Sequence, residues 1–161
     1  MSNKTLAIIK PDAVGNGFTG KIIDRIIEAG FKVQAARLIH LSREKAEGFY
    51  AVHKERPFYN DLVDFMTSGP CMPMALEKED AVNSFRSLIG ATNPADAEAG
   101  TIRKDFAENI QNNAVHGSDS DKNAQKEKKE FRNQIKILLN KVGNVTNTTI
   151  TNNSNSNTNN I

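Results

Sequence analysis

Asn113-Ala114-Val115-His116-Gly117-Ser118-Asp119 is the densest concentration of chemistry in the chain. It places an imidazole near the end of a short apolar run, followed by glycine, with Asn, Ser and Asp close enough to orient it. Imidazole is a competent nucleophile that titrates near neutrality, so its neutral form can attack an electrophilic phosphorus. A hydrogen-bonded surface histidine fits the same segment equally well. Phosphoryl transfer also needs positive donors that hold the phosphates and spread the transition-state charge. Lys10, Arg86 and Arg103, with Lys104, are cations on three segments, each beside a turn or break, and Thr92 and Asn113 add neutral donors. Taken singly, each arginine reads as a solvated surface residue. Only convergence in space makes a site of them.

Other candidates carry less. Arg56-Pro57-Phe58-Tyr59 offers aromatics in a proline-marked loop, where Phe58 suits either base stacking or a staple under the loop. His40 lies in an apolar stretch and reads as structural, whereas His53 fits a phosphate contact or plain surface. Cys71 sits among apolar residues, which suits inert packing. Gly15-x-Gly17-x-x-Gly20 matches a loose GxGxxG, but no second β-α-β unit or ribose-binding acid follows at the usual spacing, so a dinucleotide fingerprint is set aside. There is no GxxxxGK[ST] phosphate loop.

The elements that must position these residues follow from periodicity. Thr5–Ile9 reads as a buried strand closed by a turn at Lys10-Pro11-Asp12. Ile22, Ile23, Ile26 and Ile27 fall at helical spacing over Lys21–Ala29, with Gly30 as the stop. Phe31–Leu41 reads as a longer strand, and Ser42 as the N-cap of a helix through Tyr50. A further helical turn or two spans Asn60–Met66, and Ser68-Gly69-Pro70 makes a turn. Cys71–Glu77 reads as a third strand whose Pro73 calls for an edge or a bulge. Asp80–Ile89 reads as a helix, Gly90–Gly100 as irregular, and Ala114–Gly117 as a brief last strand. The order βαββαβ predicts an α+β, ferredoxin-like sandwich, an antiparallel sheet with helices on one face.

With 161 residues the chain has about one domain's worth of sequence. Its net charge of +2 excludes an overall field strong enough to imply nucleic-acid binding, but the charge is uneven. Residues 1–121 carry 14 Lys and Arg against 17 Asp and Glu; residues 122–141 carry seven against two; residues 142–161 carry none. Three segments are therefore expected: a domain at 1–121, a basic helix at 122–141, and a tail at 142–161. Eight Asn, five Thr and two Ser among residues 144–161 cannot bury enough apolar surface to offset chain entropy, so that tail is expected to be disordered. A single cysteine excludes an internal disulfide framework. No run approaches the ~20 apolar residues of a membrane span, and Leu6–Ile9 is too short for a secretory leader, so a reducing, cytoplasmic setting is expected.

Five runs in order carry a family resemblance: Thr5–Ala13, His53–Phe58, Gly90–Pro94, Gly100–Arg103 with Asp105-Phe106, and Asn113–Asp119. Together they resemble nucleoside diphosphate kinase. The resemblance implies ping-pong transfer, in which a nucleoside triphosphate passes its γ-phosphate to His116 and the phosphohistidine passes it to another nucleoside diphosphate. It implies that Lys10, Tyr50, Arg86, Thr92, Arg103 and Asn113 hold phosphates and sugar and that Phe58 stacks the base. It implies that Ser118 and Glu127 position the catalytic ring, and that Asp119 lies near a Mg²⁺ carried mainly by the nucleotide phosphates. It further implies that Gly90–Ala114 forms a loop used in nucleotide binding and subunit contacts, with assembly into homo-tetramers or homo-hexamers. Stacking on one aromatic without contacts to base edges accepts any base, because every base has a π-face.

Two departures stand out. Val52 occupies a position where many members carry a carboxylate that helps orient the histidine. The likeness is also expected to end near Glu127, where Lys128–Leu139 replaces an apolar-aromatic run, as a reading-frame shift in an A-rich stretch would produce. Phe131, Ile135, Leu138 and Leu139 at helical spacing would then restore part of the packing. An active kinase is the leading reading. A catalytically weak nucleotide-binding scaffold is its rival, and a nucleic-acid module on residues 122–141 rests only on a basic face that suits solvent as well.

Overall fold

The computed structural model describes residues 2–132. In chain order the elements are β1 (Lys4–Ile9), α1 (Pro11–Gly15), α2 (Thr19–Glu28), β2 (Lys32–Ala36), α3 (Arg43–Phe49), α4 (Tyr59–Met66), β3 (Met72–Glu77), α5 (Ala81–Ile89), α6 (Ile102–Phe106) and β4 (Val115–Gly117). Residues 121–132 are helical and are labelled α7. Met1–Lys128 forms one compact unit. The expected tail at 142–161, and Ile135, Leu138 and Leu139 of the expected apolar stripe, lie outside the described residues.

Thr5 to Ile9 are apolar or β-branched at every position, and β1 is buried throughout after Lys4. A strand of that kind belongs inside a sheet. It lies between β3 and β4 in the order β2-β3-β1-β4, with antiparallel pairings throughout. With α2 after β1 and α5 after β3, the expected ferredoxin-like α+β fold is present.

Alternation sorts the strand residues onto two faces. Ala7, Ile9, Met74, Leu76 and Val115 share one core with Ile22 and Ile26 of α2 and Phe85 and Ile89 of α5. Full burial of each such Ile or Phe is worth roughly 1.5–3 kcal/mol, so this core holds the strands. Gly117 faces the same way: a Cβ there would stand 2.9 Å from Phe85 Cδ1 and 3.1 Å from Ile89 Cδ1. Leu6 and Ile8 point to the other face and are buried as well. His116 pairs with Ile8 and so shares that second face.

Several elements depart from expectation for identifiable reasons. Pro11 does not close a turn; it occupies the first turn of α1, where its missing N–H costs nothing. The strand expected over Phe31–Leu41 shortens to Lys32–Ala36, with a register slip inside it between Val33 and Ala35 and only an isolated bridge, Ile39 with Cys71, beyond it. Pro73 lies in β3, an interior strand rather than an edge. Its carbonyl accepts from Arg37 N–H at 3.2 Å, so its nitrogen faces the same side, past the last residue of β2, and the ladder to β1 loses nothing. The segment after Gly100 contains α6, capped by Thr101 Oγ1 accepting from Lys104 N–H. Ser42 caps α3 as expected, its Oγ accepting from Lys45 N–H at 3.3 Å.

Candidate active site

The backbone leading to His116 is bent before it becomes a strand. Ala114 has φ +68°, in the left-handed region, and Val115 N–H donates to Asn113 O at 2.8 Å across it. An i→i+2 bond over a positive φ is a γ-turn of the rare, strained hand, costing on the order of 1–3 kcal/mol. The segment after β1 holds it from both sides. Ala114 N–H donates to Asp12 Oδ2 at 3.0 Å, and Ala114 O accepts from Lys10 N–H at 2.9 Å.

Beyond the bend, the imidazole is held at one nitrogen. His116 Nε2 lies 3.3 Å from both carboxylate oxygens of Glu127, on α7. Ser118 Oγ is hydrogen-bonded to Glu127 Oε2 and lies 3.4 Å from Leu6 O. The ring meets Phe49 edge-on, centroids 5.7 Å apart. With Nε2–H directed at a carboxylate, Nδ1 carries the lone pair. The His116 side chain keeps 21% of its surface exposed, so the ring is held yet reachable.

Around it, cations crowd together. Lys10 Nζ donates to Asn113 Oδ1 at 2.8 Å, and the lysine is only 8% exposed. Burial and then the Arg103 charge bring its ammonium down to about 8, opposed by the Asp12 carboxylate. Arg103, also 8% exposed, donates from Nη1 to Gly90 O and from Nη2 to Val115 O, both at 2.9 Å. Its Nε is buried with no partner among the described residues. Burial and the neighbouring Arg86 bring this guanidinium down to about 10. Arg86 is exposed in the last turn of α5. Asp119 is held below the usual carboxylate range, chiefly by the Asn123 amide donating to it at 2.6 Å and also by Arg86.

The remaining predicted residues fall at different depths. Thr92 is exposed, and its carbonyl accepts from Asn113 Nδ2 at 3.5 Å. Phe58, 49% exposed, lies with its ring centroid 5.6 Å from that of His53. Tyr50 is buried; its hydroxyl has no partner among the described residues, and burial pushes it up. Its ring meets Phe49 at 4.8 Å, one aromatic removed from His116. Val52 is 65% exposed and so adds no orienting group to the ring. Cys71 is buried, its thiol pushed up to about 12 by burial, in keeping with inert packing. Reasoning from sequence passed over Asp12 and Phe49. Asp12 follows Lys10-Pro11 in a run singled out only as a whole, and Phe49 reads as one more apolar helix residue. Among the described residues, no cluster of three or more His, Cys, Asp or Glu could hold a metal, and no helix is long and apolar enough to cross a membrane.

The fold and this arrangement define a class: a ferredoxin-like α+β protein with a held imidazole and converging cations, the equipment of phosphoryl transfer. The sequence model of the family described as nucleoside diphosphate kinase matches residues 3–137. The chain is 56% identical over 135 residues to the nucleoside diphosphate kinase of Geotalea uraniireducens, covering 84% of this chain and 98% of that one. It is 53% identical over 139 residues to that of Salinibacter ruber, covering 86% and 98%. Among solved structures, the nucleoside diphosphate kinase of Aquifex aeolicus matches with TM-score 0.79 at 43% identity, over 80% of this chain and 94% of that one. That of Halobacterium salinarum, in complex with CDP, matches with TM-score 0.77 at 36% identity, over 81% and 88%. The chain belongs to the nucleoside diphosphate kinase family and is a kinase acting on nucleotides. The likeness expected to end near Glu127 extends to residue 137.

Proposed function

We propose that the enzyme works by ping-pong transfer through a phosphohistidine at Nδ1 of His116, with broad base specificity. The observation that carries this reading is that two buried cations meet the segment that bears the imidazole, Lys10 Nζ at Asn113 Oδ1 and Arg103 Nη2 at the Val115 carbonyl. Burial first, and then a neighbouring cation, makes Lys10 and Arg103 harder to keep charged, a cost that a bound polyanion would offset.

In the first half-reaction the Nδ1 lone pair forms a bond to the γ-phosphorus as the bond to the bridging oxygen breaks. The nucleoside diphosphate leaves with that electron pair. The ring becomes cationic, and Glu127, oriented by Ser118, stabilises it at Nε2. In the second half-reaction a terminal oxygen of another diphosphate attacks the phosphorus, the P–N bond breaks, and the neutral ring returns. Lys10, Arg86 and Arg103 hold phosphate oxygens, while Thr92, Asn113 and Tyr50 supply neutral donors to phosphate or sugar. Phe58 offers its exposed face to any base.

Asp119 is a single carboxylate beside Arg86, which fits a Mg²⁺ held mainly by phosphates and water rather than by a protein cage. When bound, that ion would neutralise part of the phosphate charge. Residues 1–121 form the kinase domain on this reading, and the basic helical segment from 122 adds Glu127 to its site. Homo-oligomerisation into tetramers or hexamers fits an edge strand, β2, exposed at every position, and the cytoplasm is the setting that supplies its nucleotides. Incubation with γ-labelled ATP is expected to give an acid-labile, base-stable label on the protein that His116→Ala abolishes. Nucleotide binding without label would overturn the reading.

A further inference from the structure

Asp12 stands outside the groups assigned so far. It lies in the first turn of α1, and its carboxylate accepts the N–H of Ala114 from far along the chain. Lys10, on the other side of Pro11, donates its own N–H to the carbonyl of the same residue. Both polar backbone groups of Ala114 are thus held by one short stretch. Ala114 is where the chain bends at positive φ, between Asn113, which accepts from Lys10 Nζ, and His116. A side chain that keeps this peptide in its bend sets where the imidazole stands relative to the lysine.

The cost borne by Asp12 points the same way. Its Oδ1 is buried with no partner among the described residues, and burial holds the carboxyl above its ordinary value against the pull of the Ala114 N–H and the Lys10 ammonium. A carboxylate serving only the first turn of a five-residue helix would do so from water. This one gives up hydration at one oxygen while the distant Ala114 N–H, ahead of the N–H groups of its own turn, and a neighbouring cation hold its charge.

We propose that Asp12 is a positioning residue for phosphoryl transfer. It clamps the strained peptide at Ala114, so fixing His116 against Lys10 and Asn113, and its negative charge supports the buried ammonium. The inference rests on the phosphohistidine reading. Its two parts are separable, because the clamp needs only an acceptor oxygen, which Asp12→Asn keeps, and the support needs a charge, which Asp12→Asn lacks. Asp12→Ala removes both. The groups facing Lys10 are Arg103 from α6, which lowers it together with burial, Asp12, which raises it, and the neutral Asn113.

The test compares the full chain with D12A and D12N by steady-state kinetics across pH and by labelling with γ-labelled ATP. D12A is expected to lose about 10–100-fold in kcat, as a small misplacement of reacting groups does, with nucleotide KM nearly unchanged. D12N is expected to recover most of that loss at mildly acid pH, and then to lose activity at lower pH than the parent, whose alkaline limb is expected where Lys10 releases its proton, near 8. Equal slowness of D12A and D12N at mildly acid pH overturns the clamp, and an unmoved alkaline limb in D12N overturns the support. A fall in melting midpoint in both variants with kcat and pH profile intact overturns the proposal entirely. If D12A does not fold, the D12N pH profile decides. Absence of label in the parent protein is read without any variant; it overturns the phosphohistidine reading and the proposal with it.

Discussion

Residues 115–118 serve two regions in alternation, and the two faces differ in what they tolerate. Val115, with Gly117 beneath Phe85, belongs to the core under α2 and α5, where buried groups are apolar and close-packed. His116 and Ser118 belong to the other face, whose surroundings collect costs: two cations nearly removed from water, a carboxylate oxygen and a tyrosine hydroxyl without partners among the described residues, and a strained Ala114. One face holds the strand in place. The other uses that rigidity to keep groups together that would separate if free.

The difference breaks most sharply at His116. Replacing it with Ala is expected to cut turnover by on the order of 10⁴–10⁶-fold, as removal of an essential nucleophile does. Unfolding in urea should change by only about 1 kcal/mol, since the ring leaves one contact to the Glu127 carboxylate and one aromatic edge. A large loss of stability would show that the ring belongs to the packing and not to the chemistry.

Lys10 tests whether the second face lowers stability for the sake of charge. Its folded value, about 8, lies below the ordinary 10.5. Below pH 8 the group is charged in both states, and its burial destabilises the fold in full. Between about 8 and 10 the folded protein has released the proton while the unfolded chain still holds it, so stability from this group rises with pH. Activity should fall over the same interval as the cation is lost. Lys10→Met is therefore expected to be more stable than the parent at neutral pH, by a margin that shrinks toward pH 10, and about 10²–10³-fold slower. A margin independent of pH would contradict the assignment.

Gly117 tests the opposite face. Its replacement by Ala needs no unusual φ but places a methyl 2.9 Å from a fully buried phenylalanine ring. Overpacking of this kind costs about 1–3 kcal/mol. The variant should show a lower urea midpoint, with kcat per folded molecule reduced far less than by either substitution above. An unchanged midpoint would mean that Phe85 has room to move.

Local features were legible because they need only neighbours. The apolar run of β1, the Ser42 cap and the imidazole at the strand end each follow from residues within a few positions. Five-residue helices are harder: α1 and α6 are too short to show a period, and Pro11 serves a helix start as readily as a break. The site itself is long-range. Lys10 meets Asn113, and Asp12 meets Ala114, across more than a hundred positions, and no pattern along the chain announces either pairing. The family motifs named Lys10 and Asn113 without that geometry, but Asp12, contributing through a backbone amide, stayed invisible.

The smallest expected effect separates orientation from bonding on the site's own face. Ser118 is fully buried, touches Glu127 and Leu6 O, and on the present reading never meets the phosphate. Replacing it with Ala removes one hydrogen bond from the carboxylate that holds Nε2 and leaves the Glu127 contact to the ring in place. A net hydrogen-bond loss of about 1 kcal/mol corresponds to several-fold in rate if it falls wholly on the transition state. Single-turnover labelling of Ser118→Ala should therefore be several-fold slower, with nucleotide affinity unchanged and the melting midpoint slightly lower. Labelling as slow as in Lys10→Met would mean that the hydroxyl acts on the reacting groups directly. Labelling at the parent rate would mean that Glu127 is held without it, and that the orientation of His116 rests on the backbone bend and on Phe49.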